Sequence, residues 1–191
     1  MGFSKETIKA NIEPVPFIKG ITESMLSKLK LRHDDIEKNS QVILEIVDEI
    51  IMPHIADVSI SRRVMGRAWK KASKQQKIDF TREFSLYLKR YYSRAFLAYD
   101  DQKLTFLPKV KYLGKKNAIV SSLLLQQGKP DVSIKYRLHL YQSGKWKIVD
   151  IVIQGISLVI SNQRQYATKI TTEGLESVIK KLAYNNQLEF K

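Results

Sequence analysis

The chain has 191 residues, 43% of them hydrophobic and 27% charged, enough for one domain with its own core. Its 33 Lys and Arg against 19 Asp and Glu leave a net charge of +14, which calls for nucleic acid, anionic headgroups or an acidic protein as a partner. The absence of cysteine excludes disulfides, thiol nucleophiles, thiolate zinc sites and iron–sulfur clusters, and no run of eighteen apolar residues is present to span a bilayer.

Residues 1–15 read as a flexible N-terminal segment with no apolar h-region or small-residue cleavage site. The chain is therefore expected to be cytosolic, or to have lost a signal peptide. Glu6 stands where a myristoylation signal needs Ser or Thr. Phe17, Ile21, Met25 and Leu29 predict a helix over 16–31. Ile36, Ile43, Ile46, Val47, Ile50 and Ile51 predict a second over 35–52, opened by Asp34 and Asp35 and ended by Pro53. A short helical piece is expected over 61–72. Ser73 and Gln76 form a capping box for a long helix to about residue 98, with an aromatic stripe through Phe80, Phe84, Leu88, Tyr91, Tyr92 and Phe96.

The period then changes to two. Strands are predicted in KLTFLP, NAIVSSLLLQQ, DVSIKYRLHLYQ and GKWKIVDIVIQ, the last two joined through Ser143-Gly144. Helices over 157–168 and 172–185 close the chain. Helices, four antiparallel strands, then helices make a single α+β domain over 1–191.

Catalytic signatures are missing. His33, His54 and His139 lack metal-ligand spacing, and no nucleophile elbow, phosphate loop or dinucleotide fingerprint occurs. Asp150 is the one candidate general base; pairing with a nearby Arg or capping a backbone group is the alternative. Between Ser61 and Asp100 eleven basic residues face three acidic ones. They suit a solvated helical face, an acidic partner or anionic headgroups. They suit nucleic acid less, since no exposed aromatic platform accompanies them.

The segment Trp146–Ile153 is apolar on both alternating faces: Trp146, Ile148 and Val152 on one, Val149, Ile151 and Ile153 on the other. Cover on both sides is therefore expected. The apolar faces of these strands can close a packed core or wall a cavity, and pattern alone leaves both open.

Two segments carry a resemblance. Val64, Gly66, Trp69, Ser73, Phe84, Leu88 and Tyr92 in residues 61–108 resemble the MlaC family, also called the toluene-tolerance (Ttg2) family of periplasmic phospholipid carriers. So do Trp146, Asp150, Gly155, Ser157, Leu158, Gln163, Gly174 and Leu175 in residues 144–182. Gln154 departs from the pattern, where an acidic residue is expected before the glycine.

The resemblance implies a curved sheet and helices enclosing a deep apolar pocket for acyl chains, the headgroup near its mouth. It implies a non-enzymatic carrier with phospholipid as cargo and no cofactor or metal. The expected carrier is a monomer in the periplasm of a Gram-negative bacterium. It shuttles lipid between an outer-membrane lipoprotein–porin complex and an inner-membrane ABC transporter with an MCE-domain subunit, maintaining outer-membrane asymmetry. The lipid-facing positions expected are Val64, Met65, Trp69, Leu88, Tyr91, Ile119, Leu123, Ile134, Tyr136, Leu138, Trp146 and Ile148. Arg62, Arg63, Arg67, Lys70 and Lys71 are expected to dock partners or membrane. A small-molecule binder or enzyme using Asp150, and a basic nucleic-acid module, are the competing readings.

Overall fold

A computed structural model describes residues 10–97 and 102–188. Helix α1 (Pro14–Leu31) opens on a proline, which fits the first turn because that N–H has no helical acceptor. It buries Ile18, Met25 and Leu29 along one face. Residues 10–15, expected to be flexible, are tied to the sheet. The Asn11 N–H donates to the Gly144 carbonyl at 3.0 Å, and Trp146 Nε1–H donates to the Ile12 carbonyl at 3.0 Å. Residues 1–9 lie outside those described.

The helix predicted over 35–52 is two helices, α2 (His33–Lys38) and α3 (Val42–Ile50). Asn39 divides them: its side-chain oxygen accepts the Gln41 N–H at 3.0 Å, a local bond that competes with helical pairing. A 3₁₀ turn at Met52–His54 follows, with Pro53 inside it. The piece predicted over 61–72 is likewise α4 (Asp57–Met65) and α5 (Arg67–Lys71). Gly66 separates them at φ +54°, a left-handed conformation that glycine adopts without steric cost. Helix α6 (Lys74–Leu97) starts at the capping box as predicted: Ser73 Oγ accepts the Gln76 N–H, and Gln76 Oε1 accepts the Ser73 N–H, each at 3.1 Å.

Six strands follow where four were expected. They are β1 (Lys103–Phe106), β2 (Lys111–Tyr112), β3 (Asn117–Leu125), β4 (Val132–Leu140), β5 (Trp146–Ile153) and β6 (Ile156–Ser157). The two extra strands are two-residue segments. β2 resumes pairing with β3 beyond Pro108, which has no N–H to donate to a ladder. β6 folds back on β5 through Gln154 and Gly155, both at positive φ, as a two-residue hairpin turn requires. All pairs are antiparallel in the order β1-β3-β4-β5-β6. Helices α7 (Leu158–Glu173) and α8 (Leu175–Gln187) complete the chain.

Three apolar clusters hold these parts together. Between α1 and the sheet, Ile18 meets Ala118, Val120, Leu138, Leu140, Trp146 and Ile148. Met25 and Leu29 of α1 pack with Val42, Ile43, Ile46 and Val47 of α3. The largest cluster joins α4, α6, α7 and α8 through Val64, Phe80, Phe84, Tyr166 and Ile179. Phe80 and Phe84 stack at 5.4 Å, and the Tyr166 ring stands edge-on to both.

Candidate functional site

The register of β4 with β5 shifts between Arg137 and Leu138: Leu138 faces Ile148, whereas Arg137 faces Asp150. Val149 is therefore an extra residue, a bulge. It reverses the parity of everything after it. Trp146, Ile148, Ile151 and Ile153 share one face of the sheet, and Lys147, Asp150 and Val152 share the other. The near-continuous apolar run is an alternating strand with one residue inserted.

Followed across the ladders, the first face, here called inner, carries Leu104 and Phe106 of β1. It also carries Val120 and Leu124 of β3, and Val132, Ile134, Tyr136, Leu138 and Leu140 of β4. α1 covers one end of it. The other end holds Leu104, Phe106, Leu124, Val132, Ile134, Tyr136, Ile151 and Ile153, all half-buried. No helix among the described residues packs extensively on β1 or β4. This is an apolar field under partial cover. Phe106 and Tyr136 lie with near-parallel rings 6.5 Å apart within it, and burial pushes the Tyr136 hydroxyl above its ordinary pKa.

The residues expected to line a pocket divide into groups. Ile134 and Tyr136 lie in the field. Leu138, Trp146 and Ile148 share its face but are sealed under α1. Ile119 and Leu123 fall on the outer face, opposite Arg137 and Ser133, because they differ by one in parity from Val120 and Leu124. Val64, Met65, Trp69 and Leu88 belong to the helical cluster, and Tyr91 is 53% exposed. Leu104, Phe106, Leu124, Val132, Ile151 and Ile153 also lie in the field, though they are not among the positions expected to face lipid. The signal for the last two is Asp150, whose charge marks the outer face two residues after Ile148.

Asp150 is buried and fully engaged. Its carboxylate accepts from Ser157 Oγ–H at 2.6 Å and from the Val159 N–H at 3.1 Å, and Arg137 Nη1 lies 3.4 Å away. Ser157 Oγ in turn accepts the Ile160 N–H at 3.1 Å, capping α7. The carboxylate thus fastens the start of α7 to the outer face of β5, which argues against a free general base. Beside it, burial pushes the Tyr92 hydroxyl up to about 12, its Tyr87 and Tyr91 neighbours acting in the same sense and Asn162 in the opposite one. Gln154, at φ 48°, uses its side chain to bind the neighbouring turn. Its Oε1 accepts the Ser133 N–H at 3.4 Å and its Nε2 donates to the Asp131 carbonyl at 3.1 Å.

Two open surface grooves lie away from the field. One of about 540 Å³ runs between α1 and α3 past Phe17, Ile21, Ile50 and His54; one of about 600 Å³ follows α8 past Glu176, Lys180 and Tyr184. Neither has a sheet residue in its wall. His33, Asp34 and Glu37 could meet a metal ion, but all three are exposed on α2. Arg62 and Arg63 end α4, and Arg67, Lys70 and Lys71 lie on α5, all exposed. Arg63 reaches the bulge, with Nη1 3.5 Å from the Val149 carbonyl.

Comparison with known proteins places this geometry. The profile of the family described as MlaC protein matches residues 19–184. The chain is 21% identical over 179 residues to the intermembrane phospholipid transport system binding protein MlaC of Haemophilus influenzae, covering 92% of this chain and 83% of that one. It is 24% identical over 162 residues to the toluene tolerance protein ttg2D of Pseudomonas putida, covering 84% and 74%. A solved structure of a phospholipid-binding protein from Ralstonia solanacearum, in complex with a phospholipid, superposes with a TM-score of 0.79 at 25% identity. That match covers 88% of this chain and 94% of the other.

Proposed function

This chain belongs to the MlaC family, and from that premise we propose that it binds phospholipid and carries it between membranes. The observation that carries the reading is the half-covered apolar field on the inner face of the sheet, in a fold shared with a protein solved around a phospholipid. Burying an acyl chain is favourable by about 0.8 kcal/mol per CH₂, so one tail contributes on the order of 10 kcal/mol. Tails laid between β4 and the helices would extend the cover that α1 already gives the other end of that face. Such a carrier needs to enclose its cargo, and no step of the work requires a catalytic group.

The finer expectations rest on the family. The protein would work in the periplasm, as a monomer whose 1–191 span forms one carrier domain. It would exchange lipid between an outer-membrane lipoprotein–porin complex and an inner-membrane ABC transporter with an MCE-domain subunit, and so maintain outer-membrane asymmetry. The exposed Arg62, Arg63, Arg67, Lys70 and Lys71 would steer it to acidic partner faces, an effect that weakens with salt.

Native mass spectrometry of the freshly purified protein, followed by lipid extraction, tests the reading. The expected result is a bound mass equal to a diacyl phospholipid. Ile134→Asp, in the field, should fold without lipid, whereas Leu123→Arg on the outer face should keep it. A bare polypeptide mass that persists after incubation with phospholipid vesicles would overturn the proposal.

A further inference from the structure

Every lysine and arginine of the six strands lies on the outer face. Lys103 pairs across from Leu125, Lys111 from Ile119, Lys135 from Ser121, Arg137 from Ile119 and Lys147 from His139. One acid lies in the strands, Asp150, and it is buried beneath Arg137. Between the cations of β4 and those of β1 and β2 runs the half-buried row Ile119, Ser121, Leu123 and Leu125. No helix among the described residues packs extensively on β1 or β4, whereas α4 and α7 pack on β5, so the open part of this face lies over β1 to β4. Lys116 in the turn before β3 and Arg63 at the end of α4 extend the same potential: both act on His139, whose pKa is lowered chiefly by burial.

We infer that this outer sheet face adsorbs to an anionic phospholipid bilayer. The residue type decides between occupants. Protein interfaces are depleted in Lys and enriched in Arg and aromatic side chains. Here four of the five strand cations are lysines, and the single arginine is held by Asp150. Lysine is a compact, hydrated charge on a flexible stem, suited to a diffuse layer of headgroup phosphates and ill suited to bidentate recognition. The outer-face aliphatic side chains of β3 are half-buried, so the contact is electrostatic and shallow. The inference takes the carrier reading as its setting. Adsorption through the outer face turns the apolar field away from the bilayer, so it concentrates the carrier at a membrane without extracting lipid there.

Sedimentation with vesicles tests this directly, using phosphatidylcholine alone and a 3:1 mixture with phosphatidylglycerol, at 50 and 200 mM NaCl. The protein should bind the anionic vesicles at the lower salt and leave them at the higher. Each lysine near such a surface contributes about fivefold, so Lys103→Gln/Lys111→Gln/Lys135→Gln should bind roughly a hundredfold more weakly. Lys19→Gln/Lys38→Gln/Lys180→Gln, which loses the same charge from helices, should stay within about twofold of the parent. Equal loss in both variants would make net charge the cause and overturn the inference, as would parent protein that ignores anionic vesicles at 50 mM. Polyglutamate bound by the parent and lost by the sheet variant, with no vesicle binding, would reassign the face to an acidic protein. The lipid content of the sheet variant, read by native mass spectrometry, reports separately on the carrier reading.

Discussion

Asp150 shows how one residue can serve two elements. Its carboxylate accepts from Ser157 and Val159 and faces Arg137, whose side chain is 43% exposed while that of Asp150 is 1%. Asp150→Asn keeps the shape but turns one acceptor into a donor and leaves Arg137 without its counter-charge. Because buried partners are costly to leave unsatisfied, the variant should lose about 2–3 kcal/mol in urea denaturation. Its lipid content, where it folds, should be unchanged. Pairing with an arginine and capping of a backbone group are the alternatives to catalysis at Asp150, and the structure shows both at once. Which arginine was beyond reach, since the ladder that brings Arg137 opposite is set by the twelve intervening residues of hairpin, 138–149.

At the scale of elements, signals local to the chain were read well and signals needing a partner were not. The capping box and the Ser143-Gly144 turn are encoded within a few residues, and each is where the pattern put it. The breaks at Asn39 and Gly66 were passed over because apolar periodicity continues through both. The demand at Gly66 is conformational, φ +54°, since a Cβ there would meet Gln163 Nε2 of α7 only at an ordinary contact distance of 3.4 Å. Gly66→Ala should cost about 1–2 kcal/mol, measured as a lower urea midpoint with an unchanged slope. Of the candidate site, β4 was legible by alternation alone; β3 alternates as regularly but its inward face is not marked in its own sequence, and β5 does not keep its parity. Ile119 and Leu123 alternate regularly with Val120 and Leu124 but face outward, because which face of a strand turns inward is set by its partners; Ile151 and Ile153 turn inward because Val149 breaks the parity of β5.

For the whole molecule the composition gave the sign of the charge, and the fold shows how it is sorted. The strands hold their cations on one face and their apolar field on the other, so one sheet can serve cargo and surroundings independently. Two histidines sit within this charge. Burial holds His54 below its ordinary pKa of 6.5, with Lys147 and Lys145 adding to the effect. His139 is lowered by burial and then by Lys116 and Arg63. A histidine lowered in the folded state binds fewer protons there than when unfolded at pH 6.5 and just below. Their stabilising contribution is therefore present above about pH 6.5 and is lost as pH falls through the lower folded values. Urea midpoints should drop between pH 7.5 and 5.5. His54→Gln/His139→Gln should flatten that dependence, and a variant with an unaltered pH profile would show the loss to come from other groups.

The inserted valine of β5 has a consequence for changes in chain length. Losing one residue from a strand ordinarily exchanges its two faces from that point onward. At Val149 the exchange has already been made, and removing it would restore simple alternation: Trp146, Ile148, Ile151 and Ile153 inward, Lys147, Asp150 and Val152 outward. A deletion there would straighten the strand while leaving its neighbours facing as before. Val149 thus supplies bend without supplying chemistry, and the curvature of this sheet is adjustable by a single codon.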